Sequence, residues 1–93
     1  MYEYEVMFIV KPMPDEEVVS ITDKVTAIIN TDGKVLNVDV WGEKRLAFDL
    51  EGFEKGIYIL VTFHATPNCI KAVDEHMKIN EAVLRHMIVR KGC

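Results

Sequence analysis

Trp41-Gly42-Glu43-Lys44-Arg45-Leu46-Ala47-Phe48-Asp49-Leu50 lies at the middle of a 93-residue chain and joins the only tryptophan, a glycine and a Lys-Arg pair in a strand-like alternation. Side chains alternate across a strand with period two, so Leu46, Phe48 and Leu50 share one face and Arg45, Ala47 and Asp49 the other. Working back, the strand begins at Lys34, with Leu36, Val38 and Val40 set against Val35, Asn37, Asp39 and Trp41. A lone glycine inside such a pattern commonly marks a bulge, expected here at Gly42-Glu43. Working forward, Glu51-Gly52-Phe53-Glu54-Lys55-Gly56 reads as a loop, which makes the following run a hairpin partner. That run places Ile57, Ile59, Val61 and Phe63 on one face and Tyr58, Leu60, Thr62 and His64 on the other. A hairpin this long and apolar is expected at the centre of a sheet.

The flanking segments follow the same logic. Tyr4, Val6, Phe8 and Val10 alternate with Glu3, Glu5, Met7 and Ile9, and both faces turn apolar after Val6, as suits a central strand. Lys11-Pro12-Met13-Pro14 ends it, because proline cannot donate to the ladder. Asp15-Glu16-Glu17 is an acidic first turn that complements a helix dipole, and Val18, Ile21, Val25, Ile28 and Ile29 recur at helical spacing to about Asn30. Thr31-Asp32-Gly33 supplies the stop, with glycine in the usual place. Thr66-Pro67 opens a second helix as N-cap and first helical residue, with Ile70, Val73 and Met77 as its buried stripe and an end near Asn80. The final strand, Val83 to Arg90, alternates Val83, Arg85, Met87 and Val89 against Leu84, His86, Ile88 and Arg90. Each set holds apolar residues and a base, so periodicity does not choose its inner face.

Strand, helix, strand, strand, helix, strand is the α+β, ferredoxin-like βαββαβ order: a four-stranded antiparallel sheet with two helices packed on one face. Residues 1–93 form a single domain, large enough to bury roughly 60 to 70% of the surface of its unfolded chain. The opposite sheet face is left open, and an open face that mixes apolar and basic groups is a place for a protein partner or RNA. The fold alone does not choose between them.

Charge narrows the function classes. With 11 Lys and Arg against 15 Asp and Glu, the net charge of −4 argues against a general nucleic-acid coat. The charges are sorted, however: Asp15 to Asp23 holds acids and no base, and Val83 to Cys93 holds Arg85, Arg90 and Lys91 and no acid. Cys69 and Cys93 are too few for a disulfide framework, which points to a reduced, cytoplasmic setting with Cys93 exposed and Cys69 a buried small hydrophobe. Tyr2-Glu3-Tyr4-Glu5 lacks the basic start of a signal peptide, and Val6 to Val10 is far too short to span a bilayer, so a soluble, untargeted protein is expected.

Catalytic groups do not converge. His64, His76 and His86 lie far apart without zinc spacing, and no glycine-rich loop opens a helix. Acylphosphatases use this topology with a phosphate-cradling loop after the first strand, where this chain has two prolines. No catalysis, metal, cofactor or small-molecule substrate is expected. Lys44, Arg45, Arg85, Arg90 and Lys91 would converge if the hairpin bends across the sheet; the alternative is ordinary solvated charge. Trp41 and Tyr58 either pack in the sheet or stack on a base or a partner side chain. The paired aromatic motifs of an RNA-recognition domain are missing.

Three stretches then carry a resemblance. Tyr4-Glu5-Val6-Met7-Phe8-Ile9-Val10-Lys11-Pro12, the central Gly42-Glu43-Lys44-Arg45-Leu46-Ala47-Phe48 followed by Gly56-Ile57-Tyr58, and Lys78-Ile79-Asn80-Glu81 before Leu84-Arg85-His86-Met87 together resemble the bacterial small-subunit ribosomal protein six family, in order and over nearly the whole chain. The resemblance implies a structural, non-catalytic constituent of the small ribosomal subunit. It implies binding to the central domain of small-subunit rRNA as a heterodimer with small-subunit ribosomal protein eighteen. Matched residue by residue, it makes Lys44, Arg45 and Arg85 the leading RNA contacts, with Arg90 and Lys91 beside them, and leaves Trp41, Tyr58 and Met87 for the partner protein. Tyr2 and Glu3 depart from relatives that carry a base there, as does a chain stopping at Cys93 from relatives with a tail. A sheet face used for self-association, or a small hydrolase, are the competing classes.

Overall fold

A computed structural model describes residues 2–91. Six elements follow one another: β1 (Tyr2–Val10), α1 (Asp15–Asn30), β2 (Gly33–Leu50), β3 (Phe53–Ala65), α2 (Pro67–Ile79) and β4 (Val83–Lys91). The four strands make one antiparallel sheet in the order β2-β3-β1-β4. This is the ferredoxin-like arrangement the sequence implied. The hairpin expected at the centre is only half central, because β1 inserts between β3 and β4 and leaves β2 on an edge. Neighbours in sequence pair locally, but the order of the sheet is set by which strands the two helical crossovers bring together.

The core is the helix-facing side of the two central strands. Val6, Phe8 and Val10 on β1 lie opposite Val61, Ile59 and Ile57 on β3, and all are buried with Phe63 and Ala65. Val18, Ile21, Thr22, Val25 and Ile29 close over them from α1, and Cys69, Val73 and Met77 from α2; Ile28 and Ile70 pack at the margin. Cys69 is the buried small hydrophobe expected, and that burial, with the carboxylate of Asp32 as a second cause, pushes its thiol pKa up. Cys93 lies outside the described residues.

The connections differ from expectation in instructive ways. Gly33 does not close α1 in a left-handed turn; Thr31 caps the helix in the right-handed region. Gly33 instead begins β2 against Ala65, where a β-carbon would stand 2.3 Å from the carbonyl oxygen of His64. The loop expected over Glu51 to Gly56 is a tight turn at Glu51-Gly52, both with positive φ, and Phe53 already pairs with Leu50. Thr66 holds the N-cap position of α2, yet its hydroxyl donates to Asp32 and its carbonyl takes the amides of Cys69 and Ile70. Among the described residues, no helix is long and apolar enough to cross a membrane.

Candidate protein and nucleic-acid interface

Register decides what the uncovered side of the sheet presents. Residues opposite one another on paired strands point to the same side. Arg85 lies opposite Ile9, Ile9 opposite Tyr58, and Tyr58 opposite Gly42, so one row crosses all four strands on the open face. The next row is Met87, Met7, Leu60 and Asp39; beyond it stand Val89, Glu5, Thr62 and Asn37. The inner face of β4, undecided by periodicity, is thereby resolved: His86, Ile88 and Arg90 lie on the helix side. A bulge at Leu84 brings Val83 to that side as well, where it is buried.

The expected bulge in β2 falls one residue early, at Trp41, with Gly42 at a φ of 86°. This irregularity lays the indole parallel to the Tyr58 ring, with centroids 6.3 Å apart and planes 7° apart. The Trp41 Nε1 donates to Asp39 at 2.9 Å, and the Lys44 Nζ stands 5.9 Å from the indole centroid. Trp41 therefore stacks on Tyr58 within the sheet while remaining 45% exposed.

Past the bulge, the end of the hairpin curls onto the open face. Leu46 is buried there, and a β-carbon on Gly56 would meet Ile9 at 2.5 Å and Leu46 at 3.5 Å. Glycine is needed for that close approach. Two clefts result: one of about 210 Å³ bounded by Met7, Ile9, Tyr58, Arg85, His86 and Met87, and one of about 90 Å³ bounded by Ile9, Leu46, Ala47, Phe48, Leu50, Tyr58 and Arg85. Arg85 is common to both.

The five candidate bases do not form one patch. Lys44, opposite Gly56, and Arg85 share the open face with Trp41, Tyr58 and Met87. Lys91 also lies there, engaged with Glu5 at 3.6 Å. Arg45 turns to the other side of the ribbon, with Lys55 opposite it and Glu43 paired to Lys55 at 4.0 Å. Arg90 is on the helix side, its guanidinium 3.7 Å from the centroid of Tyr2 at the end of a Tyr2-Tyr4-Phe63 aromatic row. The residues that sequence reasoning missed are Met7, Ile9, Leu46 and Phe48. For Met7 and Ile9 the signal was a β1 apolar on both faces, which one helical layer does not account for, and for Leu46 and Phe48 it was their shared face of β2.

On the helix side, His86 and Asp74 tie β4 to α2 at 2.8 Å, and Lys78 approaches Asp74 at 2.9 Å. The His86 hydrogen bond, then the Lys78 one, hold the Asp74 carboxyl below its usual range. Among the described residues no cluster of His, Cys, Asp or Glu is arranged to hold a metal.

Comparison with known proteins places the chain. The model of the ribosomal protein S6 family matches residues 3–90. The small ribosomal subunit protein bS6 of Clostridioides difficile is 46% identical over 96% of this chain and 98% of its own length. The crystal structure of 30S ribosomal protein S6 from Thermotoga maritima superposes with a TM-score of 0.91 at 25% identity, covering 97% of this chain and 87% of that one. The C-terminal domain of the MgtC protein from Mycobacterium tuberculosis, at 14% identity and a TM-score of 0.64 over 98% of this chain and 88% of that one, shares the fold alone. The sequence match extends through the hairpin, the open face and β4, and the chain belongs to the ribosomal protein S6 family.

Proposed function

We propose that this chain is a structural, non-enzymatic constituent of the small ribosomal subunit in the cytoplasm, and that it binds the central domain of small-subunit rRNA as a heterodimer with ribosomal protein eighteen. Membership of the family supports the first statement. The observation that carries the second is the open sheet face, where exposed apolar side chains adjoin cations. Met87 is 51% exposed and Phe48 63% exposed, an arrangement that costs stability in isolation and is relieved by a covering protein. Trp41 and Tyr58 form a rigid aromatic platform beside it, and Met87 supplies an adaptable apolar surface.

Lys44 and Arg45 point to opposite sides of the hairpin ribbon, so the ribbon can touch RNA along its edge while its inner side meets the partner. An acidic chain then assembles on rRNA because the partner contributes most of the electrostatic attraction. A gel shift of a central-domain rRNA fragment at fixed salt tests this with each protein alone and with both. Far tighter binding with both is expected; equal binding with either alone contradicts the heterodimer. Lys44→Ala with Arg45→Ala should weaken rRNA binding and lower its salt slope by about 1 for each phosphate left unneutralised, with thermal stability nearly unchanged.

A further inference from the structure

We propose that Arg85 anchors a carboxylate of the protein that covers the open face, rather than an RNA phosphate. The inference rests on the heterodimer reading above and adds the chemistry of the partner's docking segment. Arg85 is exposed and stands where the two clefts of the open face meet. Its neighbours there include Met7, Ile9, Tyr58, His86, Met87 and Phe48, and neither cleft includes an Asp or Glu in its walls. Among the described residues Arg85 has no ion pair and no side-chain hydrogen bond, whereas several other charges of this face, Lys34 apart, are engaged. His64 meets Glu3 at 3.4 Å, Lys91 meets Glu5 at 3.6 Å, Lys44 sits over Trp41 and Asp39 accepts from Trp41.

A protein that buries Met7, Ile9 and Met87 also takes the Arg85 guanidinium out of water. A cation buried without a partner is strongly unfavourable, so the covering surface has to bring an acceptor. A carboxylate matches the guanidinium fork with two parallel hydrogen bonds. An RNA backbone fits less well, because a run of phosphates calls for a run of cations, and the groups around Arg85 are mostly apolar. An acidic side chain set among aliphatic ones on a partner segment satisfies the charge and the apolar surface together.

Calorimetric titration of ribosomal protein eighteen into the full chain, without RNA, tests this with wild type, Arg85→Met, Arg85→Lys and Arg85→Glu, each checked for an unchanged melting temperature. Arg85→Met and Arg85→Glu are expected to weaken the protein–protein complex by at least about 30-fold, the effect typical of truncating one side of a buried charge pair. Arg85→Lys should weaken it less. Replacing one acidic residue of the partner with Arg should restore binding to Arg85→Glu. The proposal is overturned if Arg85→Met binds the partner as wild type does while the rRNA salt slope of the assembled pair falls by about one unit, which would make Arg85 a phosphate ligand. Failure of the wild-type chain itself to bind ribosomal protein eighteen would instead remove the heterodimer reading, and the anchor with it.

Discussion

The two faces of β1 are made from alternate residues of one nine-residue strand, yet they do different work. Val6, Phe8 and Val10 are fully buried under two helices, while Met7 on the other side is only partly buried. Burial on the helix side is complete within the chain and holds the fold. Burial on the open side is left partial: Ile9 is covered by the curled hairpin, but Met87, Val89 and Phe48 remain exposed. If a partner covers the open face as proposed, one strand separates stability from recognition, and substitutions on its two sides should separate in the same way.

The sharpest break is Phe63→Ala. Phe63 is fully buried and stacked on Tyr4, so its truncation should cost about 3–5 kcal/mol in urea denaturation, against under about 1 kcal/mol for Met87→Ala on the open face. Equal costs would mean that the open face is part of the folding core. Next comes Gly33→Ala, which drives a β-carbon into the His64 carbonyl and should cost about 1–3 kcal/mol through strain. Gly52→Ala, at a positive φ but in open space, should cost less, about 1 kcal/mol.

Chemical labelling sharpens the same contrast. Native Cys69 should resist iodoacetamide at neutral pH, because the buried thiol stays protonated, and should react on unfolding, as read by peptide mass spectrometry. The smallest effect concerns the α2–β4 tie. The Asp74 carboxyl is depressed, so its stabilising contribution is present above the ordinary carboxylate range and disappears as the pH falls through and below about 4. The stability difference between wild type and Asp74→Asn should shrink on acidification over that window, and a difference independent of pH would mean that the tie is not ionic.

These contrasts follow how much of the molecule was legible in the sequence. Element order, the β1 alternation and the helix stripes were readable because each depends on local periodicity. What was not readable depends on pairing. Val83 and Arg90 both lie on the helix side of β4 only because Leu84 is an extra residue against β1, and the edge position of β2 follows from the crossovers. The role of Gly33 hinges on His64, thirty-one residues away in sequence. Of the candidate site, Trp41, Tyr58, Met87, Lys44 and Arg85 share a face, but Arg45 and Arg90 do not, since neighbouring strand residues must diverge. Legibility ended where a side chain's direction depended on a bulge in the strand beside it.

The central claim is that a partner protein covers the open face, and the methionines are placed to report on it. Met7 and Met87 lie opposite each other there, while Met77 is buried under α2 and Met13 packs against the helix side. With methyl-labelled methionine, ribosomal protein eighteen should be titrated in and the methyl NMR signals followed. The expected result is large shifts at Met7 and Met87 with Met13 and Met77 nearly unmoved. Shifts confined to Met13 and Met77, or none at saturating partner, would contradict the assignment of this face.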